Sequence, residues 1–396
     1  MGKDVVILGV GMSDCGKFLE RSLKDGARIA FDAVLSDAGI NKEKIQAAYI
    51  GNVQSLSVSD QVLIRGEVWM ASLGLAQGMP IINTESACAT GHSALYLGYL
   101  DVASGEHDCV LVLGVEKIHT PDREKLLWWT GAARDMDEPP LEVHYEEEAK
   151  NGTERKRIGG PAAMAGQKAL KFMGKSGVTE QQLAKICVKN HFNASLNPNA
   201  VFQDVWTVEQ VLTSRVVSAP IRMPMMANFC DGSAAVILCS ADFARRYTTN
   251  PIYLSCVVLC KTLNYYDGAI LDKAAKMAYE RAGLGPSDID VWELMDTSTM
   301  DEIENYSRFG VCTLEETPVL IESGATELTG PFPVNTSGGL EGRGHPAGAT
   351  AMAQVAEQVW QLRGQAGRRQ VTKKRLRAGL TNISGGGGPC VAIIRK

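Results

Sequence analysis

The chain carries the same local pattern twice. Residues 30–45 read AFDAVLSDAGINKEKI, and residues 274–289 read AAKMAYERAGLGPSDI. Each segment predicts an amphipathic helix that ends at Ala-Gly, where glycine suits the left-handed conformation of a helix cap. A short loop and a strand-like run follow in both copies, at residues 47–53 and 291–295. One such repeated pattern is weak evidence for a duplication, because Ala-Gly helix ends are common.

A second echo occurs in the same order. Gly91-His92-Ser93-Ala94 resembles Gly344-His345-Pro346-Ala347, and in each copy a glycine-bearing loop precedes an Ala-rich helix. An apolar strand is predicted next, over residues 109–114 in the first copy and 376–383 in the second. Two echoes in one order indicate a duplicated α/β protein, whose halves each form a mixed sheet covered by helices.

The region between the repeats has a different character. Residues 120–199 include a charged segment, 135–157, and show no clean strand pattern. This indicates a long insertion from the first half, and such insertions are usually functional. We therefore expect a first half of residues 1–119 plus 200–247, an inserted loop domain of residues 120–199, and a second half of residues 248–396.

Composition excludes some classes of function. A net charge of -5 gives no reason to expect a nucleic-acid partner, and no stretch approaches the roughly 20 apolar residues of a membrane span. The first ten residues lack the layout of a signal peptide. Ten cysteines without a CxxC pair are typical of reduced cytosolic thiols and predict no metal site in this chain. We expect a cytoplasmic protein.

Cys88 is the candidate nucleophile. It lies in NTESACATGHSALY, residues 83–96, where an apolar strand at 79–82 leads into a helix that begins near Thr90. Backbone N–H groups at a helix N-terminus stabilise a thiolate, so we expect a lowered thiol pKa. The same groups could hold an oxyanion. A buried structural cysteine is the alternative interpretation of this segment.

His345 is the candidate general base. Residues 335–350, NTSGGLEGRGHPAGAT, contain five glycines, and proline follows the histidine where we expect a helix to start. An isolated histidine is more often structural, but the repeat places this loop opposite Cys88. A third segment, TNISGGGGPC at residues 381–390, predicts a flat glycine surface for a thioester. A phosphate loop is the weaker alternative, because no Lys-Ser/Thr pair follows.

Together these segments resemble the thiolase superfamily, and in particular its sterol-carrier-protein-type branch. The resemblance covers essentially the whole chain and rests on motifs in thiolase order. They are the Cys88 elbow, Asp231-Gly232-Ser233-Ala234-Ala235, Gly338-Gly339 with Gly344-His345-Pro346, and Asn382-Ile383-Ser384-Gly385-Gly386-Gly387, with HFNASLNPNA at residues 191–200 typical of that branch.

The resemblance implies a five-layered αβαβα fold made of two duplicated halves with an inserted loop domain. It implies a two-step acyl transfer in which Cys88 takes the acyl group of a 3-oxoacyl-CoA and free coenzyme A then removes it. His345 would activate the thiols, and the backbone N–H groups of Cys88 and Ser384 would hold the oxyanion. Coenzyme A would be a cosubstrate, with no permanently bound cofactor.

Three positions depart from the family pattern. Residues 293–298 read ELMDTS, so Met295 stands where the family has an Asn or His that holds a catalytic water. Thr297 and Asn382 stand where a second catalytic cysteine occurs in this branch and in the classical enzymes, respectively. Thr297, Asp296, His92 and Glu341 are the possible replacements for the missing acid or base, and the sequence does not choose among them.

The sequence is compatible with more than one substrate and more than one partner. We expect thiolysis of a branched or aryl 3-oxoacyl-CoA, such as an oxobenzylsuccinyl-CoA, with biosynthetic acetoacetyl-CoA condensation or a non-catalytic acyl-CoA-binding subunit as alternatives. The chain also resembles the thiolase subunit of a two-subunit enzyme of anaerobic toluene degradation. That resemblance implies a small zinc-ribbon/OB-fold partner besides a homodimer core.

Five residues are expected near the substrate in addition to Thr297. Trp128, Trp129 and Met164 lie in the inserted region, where thiolases build the acyl pocket, although ordinary packing explains them at least as well. Met295 and Gly339 belong to the two loops that would face Cys88.

Overall fold

The computed structural model describes residues 2–54, 58, 59, 61–75, 77–122, 137, 161–260, 268–372, 375–384 and 388–396. The described α-helices are α1 Leu23–Ala38, α2 Arg65–Ser72, α3 Thr90–Ser104, α4 Pro161–Ser176, α5 Glu180–Ser195, α6 Val208–Thr213, α7 Ala241–Ala244, α8 Gly268–Ala282, α9 Thr299–Arg308, α10 Thr317–Glu322, α11 Gly339–Gly342 and α12 Thr350–Arg363. The strands are β1 Val5–Met12, β2 Ala47–Gly51, β3 Ile81–Thr84, β4 Cys109–Glu116, β5 Val216–Ser218, β6 Ile221–Arg222, β7 Gly232–Ser240, β8 Ile252–Leu259, β9 Val291–Glu293, β10 Ala378–Ile383 and β11 Cys390–Arg395.

One large sheet has two halves of matching topology. Its nine strands run in the order β3-β2-β4-β7-β1-β8-β11-β10-β9. In the first half β7 pairs antiparallel with β1 and β4, and β4 pairs parallel with β2. In the second half β11 pairs antiparallel with β8 and β10, and β10 pairs parallel with β9. The same pattern in both halves is what a duplication predicts.

The first echo is confirmed in detail. Helices α1 and α8 both end at a glycine with φ of 64°, Gly39 and Gly283, and a turn of 3₁₀ helix then leads into β2 or β9. At its other end α1 has a capping box, because Ser22 accepts from the Asp25 amide while the Asp25 carboxylate accepts from the Ser22 amide. Local sequence chemistry therefore sets both ends of this helix.

Strand β4 shows why the fold has layers. Cys109, Leu111, Leu113 and Val115 face a core beneath α1 and α2, whereas the alternating Val110 and Val112 face a core around α3 and α12. A strand buried on both faces needs a continuous apolar run, which is the pattern of this segment.

The central core takes side chains from strands of both halves together with α3 and α12, and a third core lies beneath α8 and α9. The order of layers is therefore helices, first-half strands, α3 with α12, second-half strands, helices. The chain has the five-layered αβαβα thiolase fold.

Two helices of the expected insertion, α4 and α5, contribute Ala165, Ala169, Ile186 and Cys187 to the core of the second half. The exact domain boundaries stay a prediction. No helix in the described ranges is long and apolar enough to cross a membrane.

Candidate active site

Cys88 lies at a sharp turn between β3 and α3. The turn is a short 3₁₀ segment, Ala87–Ala89, and Ala87 has φ of 49°, a left-handed conformation that costs a non-glycine residue roughly 1–2 kcal/mol. Helix α3 then begins at Thr90, as the sequence predicts. This strained elbow presents the half-buried thiol at the N-terminus of a helix.

An apolar group surrounds this thiol. We call it the Cys88 group, and it consists of Cys88, Ala89, Ala227, Leu259, Met295, Leu340, Ile383 and Cys390. These residues come from both halves of the chain. The thiol therefore lies at the boundary between the two repeats.

Burial sets the protonation state of the thiol. It raises the pKa of Cys88 to about 12, and the charges of Glu116 and Glu85 add to the shift, while a backbone hydrogen bond at Cys88 opposes it. The expectation of a lowered pKa is therefore wrong for the resting enzyme, because desolvation outweighs the helix terminus. The thiol is protonated at neutral pH and must lose its proton as it reacts.

His345 is fully buried and held by its backbone. Its amide donates to the carbonyl of Asn228 over 2.7 Å, and its ring packs on Phe229 with the centroids 4.8 Å apart. It does not start a helix, since α12 begins at Thr350. It also does not match His92, which lies inside α3, so the second echo has a different register in the structure. The helix starts instead align Ala89-Thr90 with Ala349-Thr350.

The tautomer of His345 follows from its neighbours. The Thr350 hydroxyl donates to the Pro346 carbonyl over 3.0 Å, so its oxygen must accept at the 2.7 Å contact with Nδ1. Nδ1 therefore carries the proton, and Nε2 has a free lone pair. Among the described residues this Nε2 is buried and finds no hydrogen-bond partner. Burial, helped by the charge of Arg343, lowers the pKa of His345 to about 3.

The two loops meet through one short segment. Ala227 belongs to the Cys88 group, and the next residue, Asn228, holds the His345 amide. The N-termini of α3 and α12 also touch, since a Cβ on Gly91 would lie 2.9 Å from that of Ala351. The two helix starts therefore lie against each other.

Met295, Asn382 and Ser384 form one wall of the site. The Met295 amide donates to Asn382 Oδ1 over 2.9 Å, and the Ser384 amide points at Met295 Sδ at 2.8 Å. In the described part of the chain, Asn382 Nδ2 and Ser384 Oγ are buried and have no partner. The glycines that follow, residues 385–387, lie outside the described residues. Unsatisfied buried donors of this kind are suited to a bound ligand.

The loop after Met295 is held by a buried carboxylate. Asp296 accepts from the amides of Leu340 and Glu341 over 2.7 and 3.2 Å. Gly339 is required beside it, because a Cβ there would lie 2.0 Å from Asp296 Oδ2. Thr297 Oγ1 is buried and, within the described ranges, unpartnered.

Burial raises the pKa of Asp296 well above its usual range and that of Glu341 to about 8. The like charges of Glu341 and Glu302 add to the shift of the Asp296 pKa, and that of Glu302 adds to the shift of the Glu341 pKa. His92 is another candidate for the missing acid or base. Its ring is buried 3.4 Å from the Thr381 hydroxyl, and burial lowers its pKa to about 3.

Glu116 is a site residue that the sequence analysis missed. Its carboxylate accepts from the amides of Gly348 at 2.8 Å, Val53 at 3.2 Å and Gln54 at 2.9 Å. Burial raises its pKa to about 7. A single acid at the end of the apolar run 109–116 is the signal that could have revealed it.

The remaining expected pocket residues are less defined. Met164 is half-buried on α4, which reaches α9 through an ion pair of 2.6 Å between Lys168 and Asp301. Trp128 and Trp129 lie outside the described residues. Within the described ranges, no group of three His, Cys, Asp or Glu side chains could hold a metal ion.

Comparisons with known proteins identify the family of the chain. Residues 5–217 match the family model "Thiolase, N-terminal domain", and residues 267–393 match "Thiolase C-terminal domain-like". An acetyl-CoA acetyltransferase of Methanothermobacter thermautotrophicus is 36% identical over 99% of this chain and 98% of its own length. Sterol carrier protein 2 of Gallus gallus is 34% identical over 99% of this chain and 72% of its own length.

A third relative is the benzoylsuccinyl-CoA thiolase subunit BbsB of Thauera aromatica. It is 30% identical over 97% of this chain and 95% of its own length. Among solved structures, the Ltp2-ChsH2(DUF35) aldolase superposes with a TM-score of 0.77 at 20% identity, covering 99% of this chain and 97% of that one. That likeness concerns the fold. With both family models matched and a thiol and an imidazole at the junction of two repeats, this chain belongs to the thiolase family of acyltransferases.

Proposed function

We propose that this chain cleaves a 3-oxoacyl-CoA with coenzyme A, through a thioester on Cys88. The proposal is supported by a half-buried thiol and a buried neutral imidazole whose Nε2 has no partner in the described structure. The segment Ala227-Asn228 lies between them, since Ala227 packs in the Cys88 group and the Asn228 carbonyl accepts from the His345 amide. A neutral imidazole can accept the thiol proton as the sulfur attacks, so the high thiol pKa is no obstacle to a concerted step.

The reaction has two balanced halves. Cys88 Sγ attacks the 3-oxo carbon while His345 Nε2 takes its proton, and breaking the C2–C3 bond releases a shorter acyl-CoA, whose carbanion takes a proton. Next His345 accepts the proton of the coenzyme A thiol, and the new thiolate attacks the Cys88 thioester. The acyl group leaves on coenzyme A, and Cys88 regains a proton. His345 itself holds the first proton beside the carbanion, so a second cysteine is not required.

The oxyanion contacts of the proposal use backbone groups. The amides of Cys88 and Ser384 would donate to the oxygen of the tetrahedral intermediate, each contact being worth about 10²–10³ in rate. Both residues lie at the Cys88 group, since Cys88 belongs to it and the Ser384 amide contacts Met295, another of its members. Asn382 Nδ2, the unpartnered donor next to them, is suited to the carbonyl of the substrate.

A branched or aryl acyl group is the substrate that we favour. Its support is the 30% identity to the Thauera relative, which is named a benzoylsuccinyl-CoA thiolase, together with apolar Met295 and Leu340 at the thiol. The alternative is condensation of acetyl groups, supported by the 36% identity to an acetyl-CoA acetyltransferase. A non-catalytic acyl-CoA-binding subunit is the third alternative, which the unpartnered His345 Nε2 disfavours.

We also propose a homodimer built on the β3 edge of the sheet. Strand β3 pairs only with β2 in the described structure, and its outer side carries Ile82, 42% exposed. The loop between β2 and α2 exposes Val62, Leu63 and Ile64 by 45, 74 and 60%, and the start of α2 contacts β3 where the Gly66 amide donates to Asn83 Oδ1 over 2.7 Å. An apolar patch beside an open strand edge is suited to a second copy of the chain. A further small subunit is supported by the name of the Thauera relative, which is itself a subunit.

The acyl-enzyme gives the direct test. Incubating the protein with 3-oxoacyl-CoA substrates, without free coenzyme A, should increase its intact mass by one acyl group. The adduct should be absent in Cys88→Ser and present in Cys15→Ser, a control at a buried cysteine. An unmodified wild-type protein with aryl, branched and linear substrates would favour the acyl-CoA-binding alternative.

His345→Ala should lower kcat for thiolysis by about 10²–10⁴, because the general base is lost. Asn382→Ala should have a milder effect, because it removes one hydrogen-bond donor and leaves the proton transfer intact. Steady-state kinetics with an aryl 3-oxoacyl-CoA would measure both variants. A near wild-type rate in His345→Ala contradicts the assigned role.

The His345 ring should stay neutral across the working range of pH. Its carbon and nitrogen resonances, assigned by comparison with His345→Ala, should not titrate between pH 8 and about pH 5, whereas in urea they should titrate near 6.5. Burial of the neutral ring also makes the free energy of unfolding depend on pH, because the His345 pKa is about 3 in the folded protein and near 6.5 in the unfolded chain. Stability is therefore unaffected by this group above about pH 6.5 and decreases as the pH falls from there towards 3. A midpoint between pH 6 and 7.5 in the folded protein contradicts a neutral resting base.

Leu63→Asp should convert the dimer into a monomer, because it places a charge in the apolar patch. Native mass spectrometry of protein purified from its source cells measures this and shows whether a small polypeptide copurifies. Val319→Asp, at an equally exposed position on α10, is the control and should remain dimeric. A wild-type monomer, or a dimeric Leu63→Asp variant, argues against an interface at β3.

A further inference from the structure

Met295 combines a fixed backbone with a movable side chain at the reaction centre. Its amide donates to Asn382 Oδ1 over 2.9 Å, and its carbonyl accepts from Asn305 Nδ2 over 3.1 Å. The next residue, Asp296, is bound to two amides of α11. The loop therefore cannot carry Met295 away, whereas its unbranched side chain has three rotatable bonds.

The side chain lies where the reaction needs space. Its Sδ lies 2.8 Å from the Ser384 amide nitrogen, so it covers the donor that the proposed function assigns to the oxyanion. The same side chain packs in the Cys88 group and is half-buried. A substrate oxygen cannot reach the Ser384 amide until this thioether moves.

We propose that Met295 selects the acyl group: its thioether covers the Ser384 amide in the resting enzyme, gives way to the thioester oxygen, and then packs against the apolar part of the acyl chain. The inference rests on the proposed function and deepens it. It names the preferred acyl class as aromatic or similarly bulky and apolar, and the disfavoured one as acetyl.

Hydrogen-bond strength explains why the substrate oxygen replaces the thioether at the Ser384 amide. A thioether is a weak acceptor, whereas an oxyanion forms a charge-assisted bond about twice as strong as a neutral one. Displacement of Sδ by the developing oxyanion is therefore favourable at the transition state.

The selection follows from where the displaced thioether goes. With an acetyl group on Cys88 the moved side chain has little apolar surface to contact. With an aromatic acyl group it can form sulfur–ring contacts, whose strength corresponds to up to about tenfold in rate or affinity. The acyl group thus stabilises the open state of its own site.

A pair of substrates with the same leaving group tests the proposal. 3-Oxo-3-phenylpropanoyl-CoA and acetoacetyl-CoA both release acetyl-CoA, and they place a benzoyl or an acetyl group on Cys88. The quantity of interest is the ratio of kcat/KM for the phenyl substrate to that for the methyl substrate. It is measured in the wild-type chain, Met295→Ala and Met295→Leu.

Met295→Ala should lower this ratio by about tenfold, because it removes the side chain that contacts the ring. Met295→Leu keeps the volume but not the acceptor, so it should keep most of the ratio and speed acyl-adduct formation with both substrates by roughly two- to fivefold. A ratio that stays within twofold in Met295→Ala, or slower adduct formation in Met295→Leu, overturns the proposal. If Met295→Ala does not fold, the rate of acyl-adduct formation in Met295→Leu still tests whether the thioether must leave the Ser384 amide.

A spectroscopic readout separates movement from a merely structural role. In ¹³C-methyl-methionine protein, the Met295 signal, identified by its loss in Met295→Leu, should shift when Cys88 is benzoylated. The signal of Met225, buried in the core of the second half, should not shift. An unchanged Met295 signal in the acylated protein overturns the proposal. Wild-type protein that forms no adduct instead overturns the proposed function itself.

Discussion

The active site depends on one contact between the repeats: the buried Glu116 carboxylate of the first half holds the Gly348 amide of the second at 2.8 Å. Gly51, Gly91 and Gly114 crowd the same point, because a Cβ on any of them would lie within 3.0 Å of the Gly348 carbonyl oxygen. Gly348 precedes α12 as Cys88 precedes α3, so this contact sets the distance between the two helix starts. The elbow and the imidazole loop can share a site only because these backbones approach so closely.

Burial then decides the chemistry. The same desolvation that raises the pKa of the Cys88 thiol lowers that of His345, so the resting pair is a neutral thiol and a neutral base. An ion pair would have to be maintained in an apolar group, at a high cost in desolvation. In the proposed reaction, charge appears only during attack, at the point where backbone donors can receive it. Thr350 contributes by fixing the proton on Nδ1, which leaves Nε2 ready to accept another.

Much of this could be read from the sequence, and the limits are physical. The Ala-Gly helix caps, the strand after each and the glycine-rich loops gave the duplicated fold, because each depends on local chemistry. Cys88 and His345 stood out for the same reason.

The prediction of a lowered thiol pKa was wrong because desolvation is a tertiary effect that local sequence does not show. The helix start at Pro346 was wrong because Pro346 accepts from Thr350 instead of opening α12. Glu116 was missed because its partners are amides distant in sequence, and the contact of Met295 with Ser384 spans the second half in the same way.

Strand β3 has a second consequence. It is the outermost strand at one end of the sheet, and it leads within three residues to Ala87, the strained left-handed residue of the nucleophile turn. Anything that binds along this edge therefore braces the chain just ahead of the reactive sulfur. In the proposed dimer, strand β3 would support both the subunit interface and the geometry of the Cys88 turn, so a change in protomer concentration would affect the reaction centre through one short strand.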